Sequence, residues 1–163
     1  MPKRIRNFVS RLRSISPLPR KTMDEYEWDD CRKNARDEVD VILCKSIKEI
    51  ARELMGEAVP SPKSVNKGLC SHLSDKVVYN TQVGSLSEKE DIEIKRLVTI
   101  VELEDGDVVN RHLKEFESGD LNIEHCWFEY NGRHFDAEVP SGVDDMNNLP
   151  IFKRLDVTID ENI

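Results

Sequence analysis

The sequence predicts an α+β domain in which a long N-terminal helix and a shorter central helix pack on an antiparallel sheet. Three observations predict it. Apolar residues recur every three or four positions from Tyr26 to Leu54. The run from Arg96 to Leu103 is dense in β-branched residues, as a buried strand is. Asn131-Gly132, the dipeptide favoured in two-residue type I′ turns, divides two strand-like segments, 122–130 and 133–139. The 163 residues suit one domain, with a basic, disordered arm over 1–21 and a single folded unit over 22–163.

The charge is unevenly placed. Residues 1–21 hold seven basic side chains and no acidic one, leaving 17 basic against 32 acidic groups in the other 142 residues. An acidic body argues against specific nucleic-acid binding, because phosphate contact needs a positive face. The arm has two readings: Ile5, Phe8, Val9, Leu12 and Ile15 fit a short amphipathic helix on an anionic surface, or the arm is a mobile basic tail. No run of about 18 apolar residues is present to span a bilayer.

Each element follows in order. Thr22-Met23-Asp24-Glu25 has the form of a capping box and opens the long helix, with Tyr26, Cys31, Ala35, Val39, Ile42, Ile47, Ile50, Ala51 and Leu54 on its apolar stripe. Gly56, Pro60 and Pro62 end it, and 56–68 reads as a loop. A second helix runs from Cys70 to about Tyr79, followed by a charged connection over 84–93 and the strand at 96–103. Gly106 to Phe116 reads as a short helix carrying His112 on the surface. Past Pro140 the expectation is turns, an acidic one at Asp144-Asp145, and a strand at Leu155–Ile159.

The four cysteines have irregular spacing and no CxxC pair, which excludes a zinc ribbon and a small disulfide scaffold. The basic N-terminus also lacks a continuous apolar core of the export-signal kind. These features predict free thiols and a cytoplasmic location, with Cys31, Cys44 and Cys126 as packing residues.

The 131–132 turn fixes a register in which Tyr130 faces Arg133, Phe128 faces Phe135, Trp127 faces Asp136 and His125 faces Glu138. Alternation then places His125, Trp127, Glu129, His134, Asp136 and Glu138 on one face, and Cys126, Phe128, Tyr130, Phe135 and Ala137 on the other. A histidine beside a carboxylate, either Asp136 or Glu138, is half of a nucleophilic site. Cys70 is the nucleophile best placed to complete it. A thiol at a helix N-terminus is stabilised as thiolate, and Gly68 just before it permits close backbone approach.

At these residues the sequence resembles a known group. Gly68-Leu69-Cys70 opening a helix, then His125-Cys126-Trp127-Phe128-Glu129, then Phe135-Asp136, is similar to the transglutaminase-like branch of the papain-like cysteine peptidase superfamily, with NlpC/P60-type peptidases as relatives. The resemblance implies a papain-like core, with the nucleophile helix packed on an antiparallel sheet. It implies Cys70 as nucleophile, His125 as general base and acid, and Asp136 as the orienting carboxylate; it assigns no side-chain oxyanion donor, for which Asn66 and Asn80 are the candidates. The expected function is a cysteine-dependent hydrolase or acyltransferase acting on amide bonds in a protein or peptide substrate, with no cofactor and no metal. The contrasting expectation is a non-catalytic interaction protein that retains this fold. A zinc site from Cys70, His72, His125 and His134 is the chemical alternative.

Overall fold

The computed structural model describes residues 30–57, 62–81 and 92–160. The basic arm, the capping box at Thr22, Tyr26, Pro60 and most of the charged connection lie outside the described residues. The chain is mixed α+β, and one four-stranded antiparallel sheet organises it.

The elements are α1 (Glu38–Glu57), α2 (Pro62–Gly68), α3 (Cys70–Val78), β1 (Lys95–Glu104), β2 (Asp107–Glu115), β3 (Ile123–Tyr130), β4 (Arg133–Phe135), a 3₁₀ turn (Met146–Asn148) and α4 (Pro150–Leu155). The sheet order is β2-β1-β3-β4. Helices α1, α2 and α3 cover one face, where Leu43, Ile47, Val65, Leu73 and Val77 pack with Phe128, Phe135 and Ala137. The C-terminal segment covers the other face, where Met146, Leu149, Phe152 and Ile159 pack with Trp127, Leu97 and Leu113. The face of the 123–135 hairpin that looks polar in sequence is therefore buried as well.

The structure departs from the expected elements in five places, each with a local cause. The long first helix is broken. A helical turn at 30–33 stops, and α1 begins afresh where Asp37 caps it by accepting the Asp40 N–H at 3.0 Å. Cys31 and Cys44 are joined by a disulfide that fastens this turn to α1, so the expectation of four free thiols is corrected; Cys70 and Cys126 are the free ones. Within the expected 56–68 loop, residues 62–68 are helical, with Pro62 at the first position where a missing N–H costs nothing.

The expected helix from Gly106 to Phe116 is instead strand β2. Asp105-Gly106 has φ of 54° and 86°, the left-handed pair of a type I′ turn, and it folds β2 back on β1. His112 consequently stands on a strand, 2.9 Å from Glu102 across the ladder's edge. At the C-terminus, Pro150 starts a helix, Asp156 in the left-handed conformation ends it, and no strand forms at Leu155–Ile159.

The second hairpin forms in the expected register: Tyr130 pairs with Arg133 and Phe128 with Phe135, through Asn131 (φ 49°) and Gly132 (φ 82°). Two arginines hold its tip against the α1 entry. Arg36 donates to the carbonyls of Tyr130 and Asn131 at 2.9 and 2.7 Å, and Arg133 donates to that of Asn34 at 2.7 Å. The ladder ends at Phe135, however, so the expected Trp127–Asp136 and His125–Glu138 pairs do not form. Asp136 leaves the strand and turns the chain, accepting the Glu138 and Val139 N–H groups on Oδ1 at 2.9 and 3.1 Å.

Candidate active site

Three elements bring the candidate residues together. Cys70 is the first residue of α3, whose entry has no capping side chain: Leu69 precedes it and offers none. Of the first-turn N–H groups, that of Ser71 serves the Cys70 sulfur. His125 stands near the start of β3, opposite Thr99 of β1. Directly beside it the β1–β3 register shifts, since Thr99 pairs with His125 but Ile100 with Ile123, leaving Glu124 unmatched. Such a bulge re-aims its neighbours, and here Arg111 holds the extra residue through a two-pronged pair with Glu124 at 2.9 to 3.2 Å. Asp136 arrives from the turn after β4.

The resulting chain of contacts runs Asp136, His125, Cys70. Asp136 Oδ2 is 2.9 Å from His125 Nε2, and both residues are buried. The same carboxylate therefore uses one oxygen to shape the turn and the other to fix the imidazole. His125 Nδ1 is buried and makes no hydrogen bond, while the Cys70 sulfur lies near enough to act on the imidazole electrostatically. Cys70 is 8% exposed. The imidazole stacks on Trp127 (centroids 5.7 Å apart, planes within 18°) and meets the edge of Phe152 at 5.8 Å. These rings exclude water from the Asp136–His125 pair, which strengthens it.

The electrostatics follow from this placement. Burial disfavours a charged His125, but the Asp136 carboxylate and then the Cys70 sulfur outweigh it and lift the imidazole to about 9. Burial also pushes the Cys70 thiol up. The interaction with His125, joined by the backbone N–H groups of Cys126 and Ser71, overrides burial and brings it below the ordinary thiol value. Both shifts favour thiolate beside imidazolium at neutral pH, the form in which a cysteine attacks carbonyl carbon.

The other sequence candidates go elsewhere. Glu138 does not reach His125; it is held by Arg154 at 2.8 and 3.0 Å and by the Asn66 amide at 2.8 Å. Asn66 is buried on α2, while Asn80 is exposed past the far end of α3. Gly68 closes α2 with no other atom of the chain within 4 Å of where a Cβ would sit, so the chain's own packing does not require a glycine here. Cys126 points to the helical face, as alternation requires, and packs with Cys70 and Val98. His134 lies on the ring side of the sheet, where Nδ1 accepts the Trp127 indole N–H at 3.1 Å, and His72 is exposed on α3. Among the described residues no three His, Cys, Asp or Glu side chains are grouped to hold a metal ion.

Sequence reasoning missed Phe152 and the Arg154–Glu138–Asn66 network. The available signal was Leu149-Pro150, an extended residue followed by proline at a helix start, which would have placed Ile151 and Phe152 on a helix facing the sheet. Comparison of the chain with protein-family models, with curated proteins and with solved structures returns no match in any of the three.

Proposed function

We propose that this protein is a cysteine-dependent enzyme that cleaves or transfers acyl groups from amide bonds, with Cys70 as nucleophile, His125 as acid and base, and Asp136 as the group that orients His125. The observation that carries the reading is the buried run Asp136–His125–Cys70, in which the acid holds one imidazole nitrogen, the other makes no hydrogen bond, and the nearby thiol is favoured to ionise by the imidazolium. A structural His–Asp pair needs no free thiol at its second nitrogen. On this reading the helix-on-sheet layout belongs with the transglutaminase-like branch of the papain-like enzymes, and a protein or peptide is the substrate.

The chemistry is balanced within these residues. The Cys70 sulfur bonds to the carbonyl carbon, the C–N bond breaks, and His125 gives its proton to the departing amine. Water or a second amine then attacks the thioester, losing a proton to His125, and the thiolate leaves. Cysteine acyl chemistry of this kind needs no cofactor.

The cytoplasmic expectation rested on the lack of an export-signal pattern and carried free thiols with it; the Cys31–Cys44 disulfide corrects the free thiols, and such bonds persist in oxidising compartments. No helix among the described residues is long and apolar enough to cross a membrane.

The test is the rate of iodoacetamide alkylation of Cys70 across pH, with the His125→Ala variant beside the native chain. The enzyme reading expects fast alkylation well below pH 8.5, lost in the variant, together with peptide-amide cleavage that Cys70→Ala abolishes. A Cys70 that titrates like a free thiol, near 8.5, and ignores His125→Ala would leave a non-catalytic interaction protein as the reading.

A further inference from the structure

The surroundings of the thiol are apolar, in a chain whose net charge is −8. Ile100, Phe116 and Ile123, each partly exposed, pack against the Cys70–Val98–Cys126 cluster. They come from adjacent strands on the helical side of the sheet. Ile100 and Ile123 are cross-strand partners, and Phe116 follows β2, its N–H donating to the Arg96 carbonyl at 2.9 Å. Leu121, two residues before Ile123, is 77% exposed.

The charged groups beside this patch already have partners. Arg96 pairs with Asp75 of α3 and lays its guanidinium over the Phe116 ring, 4.9 Å from the centroid. Lys114 is bonded to Asp120 at 2.8 Å and to Glu117 at 3.0 Å. A substrate charge placed here would have to break one of these pairs, whereas an apolar group would cover half-buried side chains that water now touches.

We infer that the acyl donor presents an apolar side chain or hydrocarbon chain next to its reacting carbonyl, seated on Ile100, Phe116 and Ile123. The inference rests on the thiol-enzyme reading and names the substrate class of that same site. The carbonyl carbon meets the Cys70 sulfur, the leaving group departs with the His125 proton, and the apolar part of the acyl group rests on the patch until the thioester is released.

The experiment follows the burst of p-nitrophenolate from the full chain with three esters, p-nitrophenyl acetate, hexanoate and hydrogen succinate. Each rate is normalised to that ester's reaction with free cysteine, and the signal of Cys70→Ala is subtracted. The hexanoate burst should exceed the acetate burst about tenfold, the gain from half-covering four added methylenes, and succinate should be the slowest. Phe116→Ala and Ile123→Ser, both at partly exposed positions, should bring the hexanoate-to-acetate ratio to within about twofold of one. Cys70-dependent bursts of equal normalised rate for all three esters, or a ratio that neither variant changes, overturn the apolar-acyl inference and leave the enzyme reading standing. No Cys70-dependent burst with any ester overturns the enzyme reading, and the inference falls with it.

Discussion

Cys70 and Cys126 are neighbours in one buried cluster, yet their thiols are driven in opposite directions. Burial raises both. At Cys126 little opposes it: the Ser74 interaction is too small, and the thiol is pushed up to about 12. At Cys70 the His125 imidazolium overrides burial, and the thiol falls below its ordinary value. The difference is one of pleat and helix end. Cys126 sits mid-strand facing the helices, whereas Cys70 stands at an uncapped helix start, where the Ser71 and Cys126 N–H groups and the histidine act on its sulfur. Burial alone makes a cysteine inert; a positive partner inside the same burial makes it reactive.

The strongest way to break this contrast is to remove the partner. At pH 6 an unassisted thiol of ordinary acidity is ionised to roughly one part in 300, so His125→Ala should slow alkylation of Cys70 by about two orders of magnitude at that pH. Cys126 in the folded chain should stay unmodified with or without His125, as mass spectrometry of peptides after labelling would show. Equal labelling of the two cysteines in the native chain would erase the distinction.

A second test uses stability. His125 has a raised folded value, so its contribution is complete below about 6.5 and is lost as pH rises through about 9. Cys70 has a lowered folded value, so its contribution is complete above the unfolded thiol value and is lost as pH falls through the folded one. Between these limits the folded chain holds an extra proton on the imidazole and lacks one on the sulfur, and the two slopes cancel. Cys70→Ala leaves only the histidine. Its unfolding free energy, from urea titration, should therefore fall as pH rises above 6.5, by up to about 1.4 kcal/mol per pH unit, while the native chain and Cys126→Ala stay nearly flat. A native chain as steep as Cys70→Ala would mean that the thiol is not ionised beside the imidazole.

How far the site was legible in the sequence depends on how local each determinant is. Asn131-Gly132 fixes its own register, so the face shared by His125, Trp127 and His134 could be read directly, whereas Asp136 reaches His125 from the turn past the ladder's end; a cysteine opening a helix is visible from Gly68-Leu69-Cys70. The choice between Asp136 and Glu138 could not be read from alternation, because both are on one face. It is made by the turn after Phe135, which spends one Asp136 oxygen on two N–H groups, and by Arg154, which claims Glu138. Asp105-Gly106 carried the same turn signal as Asn131-Gly132, but the polar run Asn110-Arg111-His112 after it lacks the apolar alternation of a buried strand. It forms an edge strand, with Val108 and Val109 exposed near its tip. The disulfide was hidden because Cys31 and Cys44 fit an unbroken helical stripe, and only the Asp37 cap breaks it.

That disulfide supplies the next prediction, in the one cysteine pair whose role is structural. Its partners are 13 residues apart, and closing a loop of about this size restrains the unfolded chain by roughly 3 kcal/mol. Reduction, or Cys44→Ser, should lower the urea midpoint accordingly. Alkylation of Cys70 in the folded chain should change little, since the Cys31–Cys44 bond lies in a separate cluster from Cys70. A loss of Cys70 reactivity on mild reduction would tie the two regions together and contradict that separation.

The smallest expected effect separates the sequence pattern from the physical site. The pattern Gly68-Leu69-Cys70 makes the glycine look obligatory beside an oxyanion. In the structure Gly68 is an exposed end of α2, an added Cβ meets nothing within 4 Å, and its φ is not in the left-handed range. No other part of the described chain there requires a missing side chain. Gly68→Ala should therefore leave the Cys70-dependent burst within about twofold, because the N–H groups that serve the sulfur belong to Ser71 and Cys126. It should also raise stability by about 0.4 to 1 kcal/mol, since alanine reduces the freedom of the unfolded chain. A variant that folds but loses the burst would place a reacting group against Gly68 and would move the acyl site with it.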